Sequence, residues 1–303
     1  MKSRRVRAAA VCALIVLLFP SCKEESSPTG DGGTGADTTT MAKSPKRGVA
    51  FNLTDTADIR ALSKGVTWWY NWYTSTSAPS GYYGTYAMEF LPMVWGGNPS
   101  AQNIADAKSF ILSHPEVKYL LVLNEPNLTD QANRLPVDAA ADWVKYERII
   151  SDLAAQGRAV SLVGPAMSWG TMTDYWDPVV WLDTFYAAYR YANGGRDPKI
   201  DYLAFHWYDY GLAAQLDRLQ KYGKKIWVTE MANWNPQIDS YAKQEAQMRD
   251  MVSICETRAD VFRYAWFYGR GTLPDTKYTY LLDQAPGTLT SLGRLYISLP
   301  YAK

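Results

Sequence analysis

Eight short apolar or aromatic runs recur after Gly48, each set apart from the next by a longer stretch. They occupy residues 49–52, 66–72, 89–96, 117–125, 160–167, 200–208, 225–232 and 261–269. Their apolar character is continuous rather than alternating, which suits strands buried on both faces of a parallel sheet. Most of the intervening stretches read as helices, over 56–64, 101–113, 137–156, 178–192, 212–222 and 241–256, with a last one over 289–297. Thr56 caps the first, Pro136 precedes the first turn of the third, and Gly157 stops it. Residues 73–88, rich in Ser, Gly and Tyr, read as a loop with at most one short helical turn. Eight strand–helix repeats in about 250 residues predict one α/β domain, a (β/α)8 TIM barrel. The alternative is an open doubly wound sheet. It is disfavoured because no Gly-x-Gly-x-x-Gly follows the first run and no Gly-Lys-Ser/Thr loop exists.

The residues before this repeat have a different composition. Of 42 aromatic residues, 41 lie beyond residue 50. Lys2, Arg4, Arg5 and Arg7 precede an apolar run over 8–19, which has the length of a signal core and is too short to span a bilayer. Residues 1–21 therefore read as a signal peptide. Cys22 follows in Leu17-Leu18-Phe19-Pro20-Ser21-Cys22, which resembles a bacterial lipoprotein box; Phe19 and Pro20 depart from its usual Leu–small–small pattern. Lys23-Glu24-Glu25 looks like a signal for surface display. The expected product is an exported outer-membrane lipoprotein, lipidated at Cys22 and meeting the membrane only through that anchor. Residues 22–47, rich in Gly, Thr and Ser, are expected to be a flexible tether, with the catalytic domain over 48–303.

Thirty-one basic and 30 acidic residues give a net charge of +1, and the four basic residues of the signal turn 31 into 27 when they leave. Nothing here marks a nucleic-acid-binding chain. Three cysteines without Cys-x-x-Cys spacing exclude zinc ribbons and disulfide scaffolds. Of two histidines, His114 precedes a proline and is expected at the surface, and His206 stands alone. No metal and no cofactor are expected. Cys255 is expected to be a buried or partly buried free thiol.

In a barrel of this type, chemistry sits at the C-terminal ends of the strands. Those ends carry Asn52, Trp68 to Trp72, Trp95, Asn124-Glu125-Pro126-Asn127, Ser168-Trp169, His206-Trp207-Tyr208, Glu230 with Trp234, and Trp266-Phe267-Tyr268. Eight of the 12 tryptophans fall in this set. Sugar rings stack their C–H faces on indole, while their hydroxyls need Asn, His, Tyr and carboxylate partners. Packing inside the barrel explains some single tryptophans but hardly all eight. Glu125 and Glu230 each close an apolar run, and neither run places a basic residue beside its glutamate. Strands four and seven face each other across a barrel, so the two carboxyls can flank a glycosidic bond, one donating a proton and one ionised.

Asn124-Glu125-Pro126 after the fourth strand and Thr229-Glu230 after the seventh resemble the retaining TIM-barrel glycosidases of clan A. The ordered set is more specific. Gly48-Val49-Ala50-Phe51-Asn52, Trp69-Tyr70-Asn71-Trp72, Glu89 to Gly96, Leu123 to Leu128, Gly164-Pro165-Ala166, His206-Trp207-Tyr208 and Ile226 to Glu230 resemble glycoside hydrolase family 128, whose members are endo-β-1,3-glucanases. The resemblance covers residues 48 to about 270. It implies Glu125 as general acid/base and Glu230 as nucleophile. It implies Asn124 on the 2-hydroxyl of the sugar, and Tyr208 or the neighbouring His206 orienting the nucleophile. Asn52, Tyr70, Trp72, Trp95, Trp234 and Trp266 complete the expected substrate contacts. The family often has Asp at Asn127 and an aromatic at Met231, so subsite shape is expected to differ here. The expected partner is a β-1,3-glucan of the laminarin type, handled by a monomer. Two rival readings remain: another clan-A glycanase acting on mannan, xylan or β-1,4-glucan, and a catalytically inactive glucan-binding lipoprotein.

Overall fold

The computed structural model describes residues 43–271 and 278–301. The expected signal peptide, Cys22 and all but the last residues of the expected tether lie outside these. In order, the elements are β1 (Arg47–Ala50), α1 (Thr56–Leu62), β2 (Trp68–Tyr70), α2 (Tyr82–Tyr86), β3 (Glu89–Phe90), β4 (Met93–Val94), α3 (Ala101–Ser113), β5 (Tyr119–Val122), α4 (Pro136–Ala154), β6 (Ser161–Met167), α5 (Pro178–Ala192), β7 (Tyr202–Trp207), α6 (Leu212–Leu219), β8 (Lys225–Met231), α7 (Tyr241–Thr257), β9 (Val261–Trp266) and α8 (Ser291–Ser298). Every expected run holds a strand. The helices start where side-chain caps allow it: Asp55, Ser100, Asp177, Ser240 and Thr290 each accept a hydrogen bond from a first-turn amide.

All strand pairings are parallel, and the order is β3-β2-β1-β9-β8-β7-β6-β5-β4. The two ends of that order, β3 and β4, are halves of the third run, separated only by Leu91 and Pro92. Pro92 has no amide to give the ladder, so the run breaks there. Its first half pairs with β2 and its second with β5. The sheet therefore curls back on itself, with helices outside it.

Strand side chains alternate between the two faces. Trp68, Tyr70, Leu121, Val163, Trp227 and Ala265 belong to one buried cluster on the inner face. Trp69, Phe90, Leu120, Val122, Val228 and Trp266 belong to the larger cluster between sheet and helices. Near the N-terminal ends of the strands, the Arg263 guanidinium lies 5.8 Å from the Trp68 ring, 4.9 Å from Tyr119 and 5.0 Å from Trp227, and pairs with Glu89 at 2.7 Å. The inner face is thus filled at that end and can open only at the other.

Residues 43–47, expected in the tether, are part of the folded body. The Lys43 ammonium donates to the carbonyls of Ser63, Val66, Tyr86 and Ala87 at 2.9–3.1 Å, and burial pulls it down to about 8. Lys46 donates to the carbonyls of Cys255, Glu256 and Arg258 at the C-terminal end of α7. Arg47, fully buried, bonds Tyr264, Glu256 and the carbonyls of Tyr296, Leu299 and Pro300. These cations satisfy carbonyls that helix and chain ends leave without partners, a role that a lack of aromatics does not reveal. His114 is half-buried rather than superficial, its ring stacked 3.9 Å from Phe110. Cys255 is a buried free thiol, which burial pushes far above its usual range.

Candidate active site

The sheet opens where β5 and β8 end. After Val122 the chain stays in the ladder: the amides of Leu123, Asn124 and Glu125 donate to the carbonyls of Val94, Trp95 and Ala166 at 2.8–2.9 Å. Leu123 and Glu125 nevertheless have φ of +55° and +43°, in the left-handed region, and Trp72, just after β2, has φ of +66°. Such backbone costs about 1–3 kcal/mol at a non-glycine residue and tends to occur at functional sites.

On β8 the register against β7 shifts. Phe205 pairs with Val228 and the next residue, His206, with Glu230, so Thr229 is an extra residue in β8. The register against β9 also shifts, between Val228 and Met231. A bulge of this kind re-aims side chains beside it. Here it brings Thr229 and Glu230 both toward His206.

Glu230 is held by three donors. Tyr70 Oη donates to its Oε1 at 2.7 Å, Trp72 Nε1 to Oε1 at 2.8 Å, and the Tyr208 hydroxyl to Oε2. Burial, and then the charge of Glu230, hold both tyrosine hydroxyls well above their ordinary range, so they remain donors. Three donors suit a carboxylate in its ionised form. Glu125 has a different setting. Its Oε1 lies 2.9 Å from His206 Nδ1, which is 3.5 Å from Glu230 Oε2. His206 is fully buried, and its Nε2 lies 3.0 Å from Thr229 Oγ1. Burial alone would lower the His206 pKa. The charges of Glu230 and Glu125 and the hydrogen bond to Glu125 outweigh it and leave the pKa raised.

One donor atom from each of Glu125, His206 and Glu230 lies within 4.8 Å of the others. Such a set could hold a cation. A cation ligated by His206 would displace the bond from one of its ring nitrogens, both of which are engaged.

Above the carboxyls lies a cleft of about 600 Å³, lined by Trp72, Trp95, Asn124, Glu125, Tyr208, Glu230 and Trp234 among the expected residues. Asn124 Nδ2 reaches Gln131 Oε1 at 3.4 Å. Tyr70 and His206 contact the carboxyls from beneath and do not line the cleft. Asn52 is exposed and outside the lining, bonded to Asn71 at 3.0 Å. Trp266 does not reach the cleft. It is fully buried on the outer side of the sheet, donates Nε1 to the Thr279 carbonyl and packs near Tyr296. Strand alternation turns Ala265 inward and Trp266 outward.

The same alternation corrects the tryptophan count. Trp72, Trp95, Trp169 and Trp234 line the cleft. Trp68 and Trp69 are buried on opposite faces of β2, and Trp207 donates to the Tyr210 carbonyl and packs near Phe205. Phe267, Tyr268 and Trp169, read at the strand ends but not among the expected substrate contacts, also line the cleft. Counting two positions on from the inward-facing Ala265 finds Phe267. Nothing in the sequence gives the direction of Thr229, because the bulge that turns it is not a sequence feature. The Asn127 side chain donates to the Ser168 carbonyl at 2.7 Å and is fully buried. An aspartate there could not make that bond, so this departure belongs to loop packing.

Comparisons with known proteins agree with this geometry. The glycosyl hydrolase catalytic core family matches residues 48–296. A family 128 (subgroup II) endo-β-1,3-glucanase from Pseudomonas viridiflava is 54% identical, with a TM-score of 0.80 over 86% of this chain and 100% of that one. A family 128 (subgroup I) endo-β-1,3-glucanase from Amycolatopsis mediterranei, solved with laminaritriose, is 27% identical, with a TM-score of 0.62 over 84% of this chain and 98% of that one. Alkali-sensitive linkage protein 1 of Schizosaccharomyces pombe is 28% identical over 244 residues, 78% of this chain but only 41% of that protein's length. On the strength of the family match and the subgroup II structure, the chain belongs to the glycosyl hydrolase catalytic core proteins, within glycoside hydrolase family 128.

Proposed function

We propose that this chain is a retaining glycoside hydrolase that cleaves β-1,3-glucan internally, on a (β/α)8 TIM barrel. The observation that carries the reading is the unequal pair of carboxyls: Glu230 with three donors, and Glu125 with one oxygen engaged and the other left for substrate. Their nearest oxygens fall within 4.8 Å. Retaining enzymes need about 5–5.5 Å between carboxyls, whereas inverting ones need about 6.5–9.5 Å to admit a water. The relatives from Pseudomonas and Amycolatopsis are described as endo-β-1,3-glucanases, and the latter holds laminaritriose. The curled parallel sheet with outer helices supports the barrel.

In the first step a Glu230 oxygen bonds to the anomeric carbon, and the bond from that carbon to the departing oxygen breaks. Glu125 gives that oxygen its proton. In the second step a water passes a proton to Glu125 and attacks the same carbon, which frees the Glu230 carboxylate. Asn124 would bond the 2-hydroxyl, with Trp72, Trp95 and Trp234 as stacking surfaces. Laminarin is the test substrate. Products from early time points should be a ladder of oligosaccharides, and proton NMR should show the β-anomer before mutarotation. Release of glucose alone would remove the endo reading, and α-anomer first would remove retention.

For the N-terminal part, the reading is a lipidated Cys22 that ties the enzyme to the outer membrane through the tether. The support is the basic start, the apolar run and Cys22 itself. Labelled palmitate should enter the wild type and not Cys22→Ala. Equal label in both would end this reading.

A further inference from the structure

Two features meet at His206. Its Nδ1 lies 2.9 Å from Glu125 Oε1, and its Nε2 lies 3.0 Å from the hydroxyl of Thr229. Both residues are fully buried. Thr229 is the extra residue of the bulge on β8, so its placement follows from a local departure from regular pairing. Among the described residues, His206 is the one side-chain hydrogen-bond partner of this hydroxyl.

A hydroxyl has one proton to give and two lone pairs. Where a buried proton goes is decided by which arrangement leaves no donor unpaired. If neutral His206 carries its proton on Nδ1, that proton goes to Glu125 Oε1, Nε2 accepts from Thr229, and every group is satisfied. If the proton sits on Nε2 instead, Thr229 must accept it and its own proton is left buried without a partner. Nδ1 is then a bare acceptor that can draw the Glu125 proton onto Oε1, away from the cleft. The doubly protonated ring also keeps a proton on Nδ1, so only the Nε2-protonated neutral form is disfavoured. Glu230 Oε2, 3.5 Å from Nδ1, favours the same outcome.

We infer that Thr229 is a positioning residue for the acid step: through His206 it keeps Glu125 Oε1 as an acceptor, so the transferable proton is carried on Oε2. The inference rests on Glu125 being the general acid, and it adds which oxygen acts and what selects it.

The chain has two histidines, so imidazole nitrogen-15 NMR is readable, with His114→Gln assigning the pair. At a pH where the ring is neutral, His206 should show its single proton on Nδ1 in the wild type. A proton on Nε2 overturns the inference. The kinetic arm uses Thr229→Val, which keeps shape and removes the hydroxyl, and Thr229→Ser, which restores it. With a laminari-oligosaccharide, whose leaving group needs a proton, Thr229→Val should lose about 10- to 100-fold in kcat/KM. With a dinitrophenyl β-laminaribioside, which needs none, its glycosylation rate should stay within about threefold, and Thr229→Ser should stay near wild type on both. Equal losses on both substrates, or none on either, overturn the inference. If Thr229→Val does not fold, the wild-type ring tautomer decides alone. Glu125→Ala in parallel separates the two levels. If the glycosylation rate of that variant falls equally with both leaving groups, the acid assignment itself fails, whatever Thr229 does.

Discussion

Glu230→Gln should hydrolyse laminarin on the order of 10⁴-fold more slowly than the wild type, or worse, because an amide cannot form the glycosyl ester. The surroundings argue that the loss will be chemical rather than structural. Tyr70, Trp72 and Tyr208 all donate toward this side chain. A glutamine carbonyl oxygen on the Tyr70 and Trp72 side keeps two of those three bonds. Only the amide nitrogen beside the Tyr208 hydroxyl changes the pattern, and a hydroxyl can accept as well as donate. Calorimetry with laminarihexaose should therefore give a dissociation constant within about tenfold of the wild type, since uniform binding is not what the mutation removes. Substantial turnover by this variant would end the nucleophile assignment. Lost turnover with lost binding would mean that the three donors were arranging the cleft rather than the carboxylate.

Glu125→Ala is expected to show the second largest effect, and one that depends on the leaving group. On laminarin the loss should be about 10²–10⁴-fold, the usual worth of a positioned proton donor. On a dinitrophenyl glycoside the glycosyl ester should still form, then persist, because no base activates water. Azide, which needs no base, should then restore turnover and yield a β-glycosyl azide. The α-azide, or no rescue at all, would contradict a double displacement. The alanine leaves His206 Nδ1 facing space rather than Glu125 Oε1, which is room enough for a small anion.

The strand–helix repeat and the pair of carboxyls in the cleft were legible for the same reason. A strand buried on both faces must be apolar throughout, so a glutamate closing such a strand stands out. What stayed hidden depended on pairing. The break at Pro92 shows only when the two halves of the run are seen to serve different neighbours. Trp69 and Trp266 were expected near the mouth because of their position along the chain, yet their parity on the strand turns each outward. Thr229 could not be assigned a direction at all, since one extra residue in β8 resets the alternation after it. The start of the body was set by Lys43, Lys46 and Arg47 bonding distant carbonyls, a kind of contact without a local signature.

Of the left-handed residues Trp72, Leu123 and Glu125, the last sets folding and catalysis against each other. Glycine would adopt those angles with little strain. At Leu123, fully buried, the lost packing would outweigh the relieved strain, but a copy of this chain freed from any need to cut glucan would find at position 125 a mutational step that makes it sturdier and inert. Decay of activity is downhill in folding free energy at the very residue proposed to carry the proton. Only continued use of the enzyme keeps a glutamate at position 125.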